Sequence, residues 1–307
     1  MTRFKLFSFL ICFCILYACN PPKKYINEAI DIMEANSLNK KSIDWKTFRI
    51  EVLKHGKNDK TIEDAHKTIQ FALMQLHDNH SYLISKSEIE TIIDTLKRNP
   101  IVISSFDNDV AYLKIPSYLG NDSLQLSFAR GLQSLIEKFD TNDPKGWIID
   151  LTQNTGGNMW PMLLGLGPLI GDGISGYFVD ADKNFTKWGY IDGQVFLGEK
   201  TFLSLDNPYQ LKNKDKRIAI LVGKGTLSAA ESIAIAFKGL PNTLFFGKDT
   251  PGLTTGNSNF RLRDGSIILL TTSRVADRNK REYGKPLSAS VYDDKPIDAA
   301  LRWLNGK

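Results

Sequence analysis

Two short apolar runs constrain this chain most: Trp147 to Leu151 and Arg217 to Val222. Runs of this length and texture are what strands buried on both faces show. A small-residue helix, Ser228 to Lys238, follows the second run closely, and Pro161 to Ile170 is predicted helical after the first. Val110 to Ile115 reads as a further strand and Leu124 to Phe139 as a helix with one apolar face. Phe260 to Arg263, Asp264-Gly265 and Ile267 to Thr271 spell a hairpin with an Asp-Gly turn. Asp298 to Leu304 closes the chain as an amphipathic helix, and the aromatic- and Gly-rich stretch 171–208 fits a meander of short strands. Strands alternating with helices specify an α/β core.

The segment ahead of that core is helical in pattern. Ile26, Ala29, Ile30 and Met33 recur at helix spacing; so do Trp45, Phe48 and Val52 behind Asp44, and Ala65, Ile69, Ala72, Leu73 and Leu76 behind Thr61. A further helical piece spans Glu88 to Lys97. The expected organisation is a small helical domain over 25–98 and a core domain over 99–307.

Residues 1–18 are not part of the fold by this reading. Arg3 and Lys5 precede an apolar stretch, Leu6 to Ala18, which is too short to span a bilayer and has the form of a secretory leader. It ends in Leu16-Tyr17-Ala18-Cys19, which looks like a lipobox, where a cysteine is acylated and the chain cut before it. The alternative is an ordinary leader cut at Ala18 with Cys19 a bystander. Residues 19–24, Cys-Asn-Pro-Pro-Lys-Lys, read as a stiff polar tether. The expectation is an exported lipoprotein of the cell envelope, anchored to the bilayer through acyl-Cys19 and facing the periplasm or the surface.

Cysteine usage favours the lipid anchor, since all three cysteines lie in or at the end of the leader. Cys12, Cys14 and Cys19 are the three cysteines, so the mature domain has none to pair and relies on its own core. Removing Arg3 and Lys5 from the 39 basic residues leaves 37 against 34 acidic ones. That scattered excess is no footprint for nucleic acid.

Three segments carry possible chemistry. Asp150-Leu-Thr-Gln-Asn-Thr-Gly156-Gly157-Asn158 is a strand ending in a turn with paired glycines. Such glycines let a backbone approach a ligand and aim amides at it, or simply make a strand-to-helix turn. Gly225-Thr-Leu-Ser228-Ala229-Ala-Glu231 joins a buried strand to a helix. Ser228 there sits at the positive end of the dipole, as a nucleophile would, yet Ser228 and Glu231 also have capping-box spacing. Leu76-His77-Asp-Asn-His80-Ser-Tyr82 places two histidines past a helix. Histidine is the usual proton acceptor for a serine, and a solvated helix end is the plain alternative. No third ligand motif accompanies the pair, so no metal is expected.

Together, the histidine segment, Gly146-Trp-Ile-Ile-Asp-Leu151 through Pro161, and Ser228 through Gly252-Leu-Thr-Thr-Gly256-Asn257 resemble the tail-specific, or C-terminal processing, serine peptidases. That family includes the tricorn core protease and the retinoid-binding repeats of the eye. The resemblance covers roughly Tyr25 to the C-terminus. It implies a crotonase/ClpP-like core of strand-strand-helix units behind the helical domain. It also implies Ser228 as nucleophile and an oxyanion hole from the amides of Gly156 or Gly157 and of Ala229. The PDZ domain of many members has no room between Lys97 and Val110. The lysine of the family's Gly-Lys-Gly turn is missing from Gly252 to Gly256. His80 therefore matches the tricorn-like branch as base, with Glu282 as the late acidic residue and Asp277 as its rival. The expected activity is a serine endopeptidase acting on exported polypeptides with no metal or organic cofactor. The alternative is a ligand- or peptide-binding lipoprotein of the same fold with a weak or inactive site.

Overall fold

The computed structural model describes residues 21–95, 98–120 and 122–306. The leader and Cys19 lie outside the described residues. Helices α1 (Pro21–Asn36), α2 (Trp45–His55) and α3 (Ile62–Met74) come first, then strand β1 (Tyr82–Ile84) and helix α4 (Lys86–Thr95). The core continues as β2 (Ile103–Asp107), β3 (Val110–Lys114), α5 (Gln125–Asp140), β4 (Gly146–Asp150) and α6 (Met159–Ile170). Next comes the meander β5 (Gly173–Asp180), β6 (Phe185–Ile191), β7 (Gln194–Leu197) and β8 (Lys200–Ser204). Last are β9 (Arg217–Val222), α7 (Ala229–Ala236), β10 (Thr243–Gly247), β11 (Thr255–Arg261), β12 (Ile267–Asp277), β13 (Val291–Tyr292) and α8 (Pro296–Leu304).

One sheet has the order β13-β10-β9-β4-β3-β2 and is parallel except for β2. Its central strands are buried on both faces because successive side chains enter different cores. Trp147, Ile149, Ile218 and Ile220 pack against α5, α6 and α7, while Ile148, Ala219 and Leu221 pack against Ala299, Ala300 and Leu304 of α8. Helix α6 is buried all round, as its uniformly apolar sequence requires. The second sheet, β1-β12-β5-β6-β7-β8 with β11 paired to β12, is antiparallel and covers the other side of the helical layer through Trp188, Tyr190 and Val195. The α/β architecture expected from the sequence is the one observed.

Two departures matter. Pro21 to Lys24, expected as tether, form the first turn of α1, where proline sacrifices no helical hydrogen bond. The helical segment is also packed directly onto the core. Strand β1 pairs with β12 of the core, Tyr82 opposite Leu269, and α1–α3 share one apolar cluster with Leu262, Ile268 and Leu270. The junction at 98/99 thus divides the sequence but not the packing.

Candidate active site

Both chemical loops leave the carboxyl ends of parallel strands, where open α/β sheets bind ligands. Strand β4 runs into the Asn154–Asn158 turn and β9 into the loop before α7. The two loops are stitched together, with the Leu227 amide donating to the Asn154 carbonyl at 3.0 Å and the Thr226 hydroxyl donating to the Leu151 carbonyl at 2.9 Å.

Ser228 stands at the entrance to α7 with φ 55° and ψ −116°. A non-glycine residue in that region costs about 1–3 kcal/mol and persists only where its surroundings impose it. The imposition comes from Glu231, whose side chain is fully buried. Its carboxylate accepts from the Ser228 amide at 3.1 Å, from the Gly252 amide at 2.9 Å and from the Thr250 hydroxyl. Burial raises the Glu231 pKa, and these donors oppose that rise. Nucleophile and cap are therefore not alternatives. Glu231 satisfies the backbone amide, and the Ser228 hydroxyl is left to face His80.

The His80 Nε2 lies 3.0 Å from the Ser228 Oγ across 148 residues of sequence. His80 is buried, 8 % exposed, and its backbone is held from several sides. Asp78 accepts from the His80 and Ser81 amides at 2.9 and 2.8 Å, and the Asn257 side chain donates to the His80 carbonyl at 2.9 Å. The other ring nitrogen, Nδ1, sits 2.6 Å from the Thr255 Oγ1. With Ser228 donating to Nε2, the proton of a neutral imidazole is on Nδ1 and points at the Thr255 oxygen. Burial lowers the His80 pKa, and the charge of Asp78 opposes this more weakly.

Gly156 and Gly157 both have φ 101°. A Cβ on Gly156 would lie 3.0 Å from the Ser228 Cβ and 3.1 Å from the Ala229 nitrogen, so only a bare α-carbon fits beside the serine. A Cβ on Gly157 would stand 2.1 Å from the Tyr118 carbonyl oxygen. The amides separate the pair. The Gly156 N–H donates to the Asn154 Oδ1 at 2.9 Å, whereas the Gly157 and Ala229 N–H groups have no acceptor among the described residues. Gly156 thus supplies space and Gly157 a free donor; the expectation that either amide could serve narrows to Gly157 with Ala229.

Glu282 is not brought to His80. Its carboxylate is taken by Lys183 at 2.9 and 2.8 Å, on the far end of the hairpin formed by β5 and β6. Its rival Asp277 is turned into its own loop, accepting from the Asn279 and Arg281 amides at 2.9 and 3.1 Å and from the Tyr283 hydroxyl at 3.0 Å. The late acidic residue expected from the tricorn-like branch gives way to a neutral hydroxyl, Thr255, carried in the same turn that lacks the lysine. Thr255 is not legible in the sequence, because a threonine at the start of a partly exposed strand has no distinctive spacing. Its signal was the empty lysine position itself. Among the described residues no cluster of three or more His, Cys, Asp or Glu side chains could hold a metal ion.

Comparison with known proteins bears on the family and the fold. The model of peptidase family S41 matches residues 109–287, more than half of the chain. A nisin-resistance protein of Lactococcus lactis is 29 % identical over 287 residues, 93 % of this chain and 88 % of that protein. The carboxy-terminal processing protease CtpA of Bacillus subtilis is 26 % identical over 72 % of this chain, which spans 44 % of that longer relative. Among solved structures, a lipoprotein from Streptococcus agalactiae superposes with a TM-score of 0.76 at 27 % identity, covering 93 % of this chain and 96 % of its own. The photosystem II D1 C-terminal processing protease shares the fold, with a TM-score of 0.62 at 13 % identity over 89 % of this chain and 93 % of its own.

Proposed function

The chain belongs to peptidase family S41, and from that premise we propose that it is an active serine endopeptidase of exported polypeptides, with Ser228 as nucleophile and His80 as general base. The observation that carries this reading is the 3.0 Å contact between the Ser228 Oγ and the His80 Nε2. A serine hydroxyl is a weak nucleophile until a neighbour takes its proton, and this contact is within reach for that transfer.

In the proposed sequence, Ser228 Oγ attacks the scissile carbonyl carbon while its proton passes to His80 Nε2. The carbonyl oxygen gains the negative charge and accepts from the Gly157 and Ala229 amides, donors fixed in place before the reaction. Collapse breaks the C–N bond, and the His80 proton goes to the departing amine. A water then repeats the cycle on the acyl-serine, losing its proton to His80, which returns it to Ser228. Thr255 holds the imidazole in the tautomer that leaves Nε2 free. Being neutral, it lends the imidazolium less stabilisation than a carboxylate would.

The rival reading is a binding protein of the same fold. The strained serine, its imidazole partner and the two unclaimed amides favour the enzyme, because a binding cleft needs none of them together. Incubating the protein with an unstructured polypeptide and sequencing the products separates the two: the peptidase yields new internal termini that Ser228→Ala does not, and intact substrate with the wild type would contradict it. The Leu16-Tyr17-Ala18-Cys19 motif, together with the likeness to a streptococcal lipoprotein, supports acylation at Cys19 and a position on the cell envelope. Wild-type protein should take up labelled fatty acid and Cys19→Ala should leave the membrane fraction; an unlabelled wild type contradicts the anchor.

A further inference from the structure

Beside the Gly157 amide stands an apolar side chain exposed among the described residues. Leu119 is 56 % exposed, and its Cδ2 lies 3.0 Å from where a Gly157 Cβ would be. The exposure is imposed by its neighbours. Tyr118 is fully buried, and its backbone is clamped on both sides of the glycines: its amide donates to the Gly156 carbonyl at 3.1 Å, and its carbonyl accepts from the Asn158 amide at 2.8 Å. The preceding Ser117 hydroxyl accepts from the Thr155 amide at 2.8 Å. With Tyr118 turned inward and both flanks tied to the glycine turn, Leu119 must point away from the core. Scattered exposed leucines need no explanation. This one is rigidly presented within contact distance of the residue proposed to bind the scissile carbonyl oxygen.

We infer that Leu119 is the wall of an apolar subsite for the substrate residue that contributes the scissile carbonyl. The inference rests on the peptidase reading above and deepens it. When the carbonyl oxygen sits on the Gly157 amide, the α-carbon attached to that same carbonyl carbon is the nearest one to Gly157. Its side chain is then the first to meet Leu119. A leucine-, valine- or methionine-like group would cover Leu119 and remove both surfaces from water, whereas a charged group would be desolvated against it without a partner. The substrate class is a polypeptide cut after an apolar residue.

The test uses quenched peptides identical except at that residue, carrying leucine, serine, aspartate or lysine there. Wild type should favour leucine over aspartate by about tenfold or more in kcat/KM, the scale an apolar pocket reaches. Leu119→Asp should erase that preference and shift it toward lysine. Ile191→Asp, a similarly exposed apolar position on the β6–β7 turn, should leave it in place. An unchanged order of preference in Leu119→Asp would overturn the subsite and leave the peptidase standing. So would a preference that responds only to the residue after the cut. Affinity of the same peptides for Ser228→Ala, read by fluorescence anisotropy, reports on the subsite without chemistry. A leucine preference there that Leu119→Asp removes, with no turnover by wild type, would overturn the peptidase and, with it, the assignment of this apolar site to the residue at the cut.

Discussion

At the scale of single residues, the unusual feature is a histidine whose second partner is a hydroxyl. A carboxylate beside the imidazole would hold its protonated form and raise its pKa; Thr255 does not, and burial lowers the His80 pKa below its ordinary 6.5. The base must be neutral to act, so activity is lost only when pH falls through this depressed value. The acid limb of a pH profile of kcat/KM should therefore have its midpoint below 6.5. Thr255→Asp should move that limb upward by about a unit or more, since a nearby opposite charge favours the imidazolium. A limb at or above the ordinary histidine value in the wild type would contradict the neutral partner. Thr255→Val, which keeps the shape and removes the oxygen, should cost about tenfold in kcat, the worth of one neutral hydrogen bond. That Ser228, His80 and the glycine pair belong side by side was an expectation carried by the joint occurrence of their segments, each of which is undistinctive alone. The third partner was not legible, because the resemblance supplied an acid and the sequence held two plausible ones. Lys183 and the Asp277 loop, which engage Glu282 and Asp277, are contacts that no local pattern reveals.

Among the elements, the start of α7 does the most work. Capping-box spacing at Ser228 and Glu231 offers a structural role for the serine, and the contacts of Glu231 make that role compatible with a hydroxyl facing His80. Glu231 satisfies the Ser228 amide and binds the turn at Thr250 and Gly252 that leads into β11 and Thr255. One buried carboxylate thus holds Ser228 and the turn that leads to Thr255 in register. Glu231→Gln places an NH2 among groups that all donate, leaving at least one buried donor unsatisfied. The expected cost is about 1–3 kcal/mol of stability, seen as a lower thermal midpoint, with a loss of turnover larger than the residual folded fraction explains. A variant with normal turnover would remove Glu231 from this role. Strand and helix positions were recovered from periodicity within a residue or two for β4, β9, α5 and α8. The pairing of β1 to β12 was not, because three residues ending a helical segment carry too little alternation to register as a strand.

For the whole molecule, the consequence of β1 and the shared apolar cluster is cooperativity. Leu270 is fully buried where α1–α3 meet β12, and β12 in turn pairs with β5 and β11. The helical segment and the core should therefore unfold in one transition, with far-UV and near-UV melts superimposing. Leu270→Ala should lower both together by about 2–5 kcal/mol. Two separated transitions would mean that the division at residue 98 is physical after all. It is this shared packing that carries His80, from the first segment, to a serine 148 residues away. The central claim is that the two form one catalytic unit, and reaction with a fluorophosphonate tests it most directly. Wild type should gain a single adduct on the peptide containing Ser228, Ser228→Ala none, and His80→Ala should label slower by about three orders of magnitude or more. Equal labelling of wild type and His80→Ala would contradict the account.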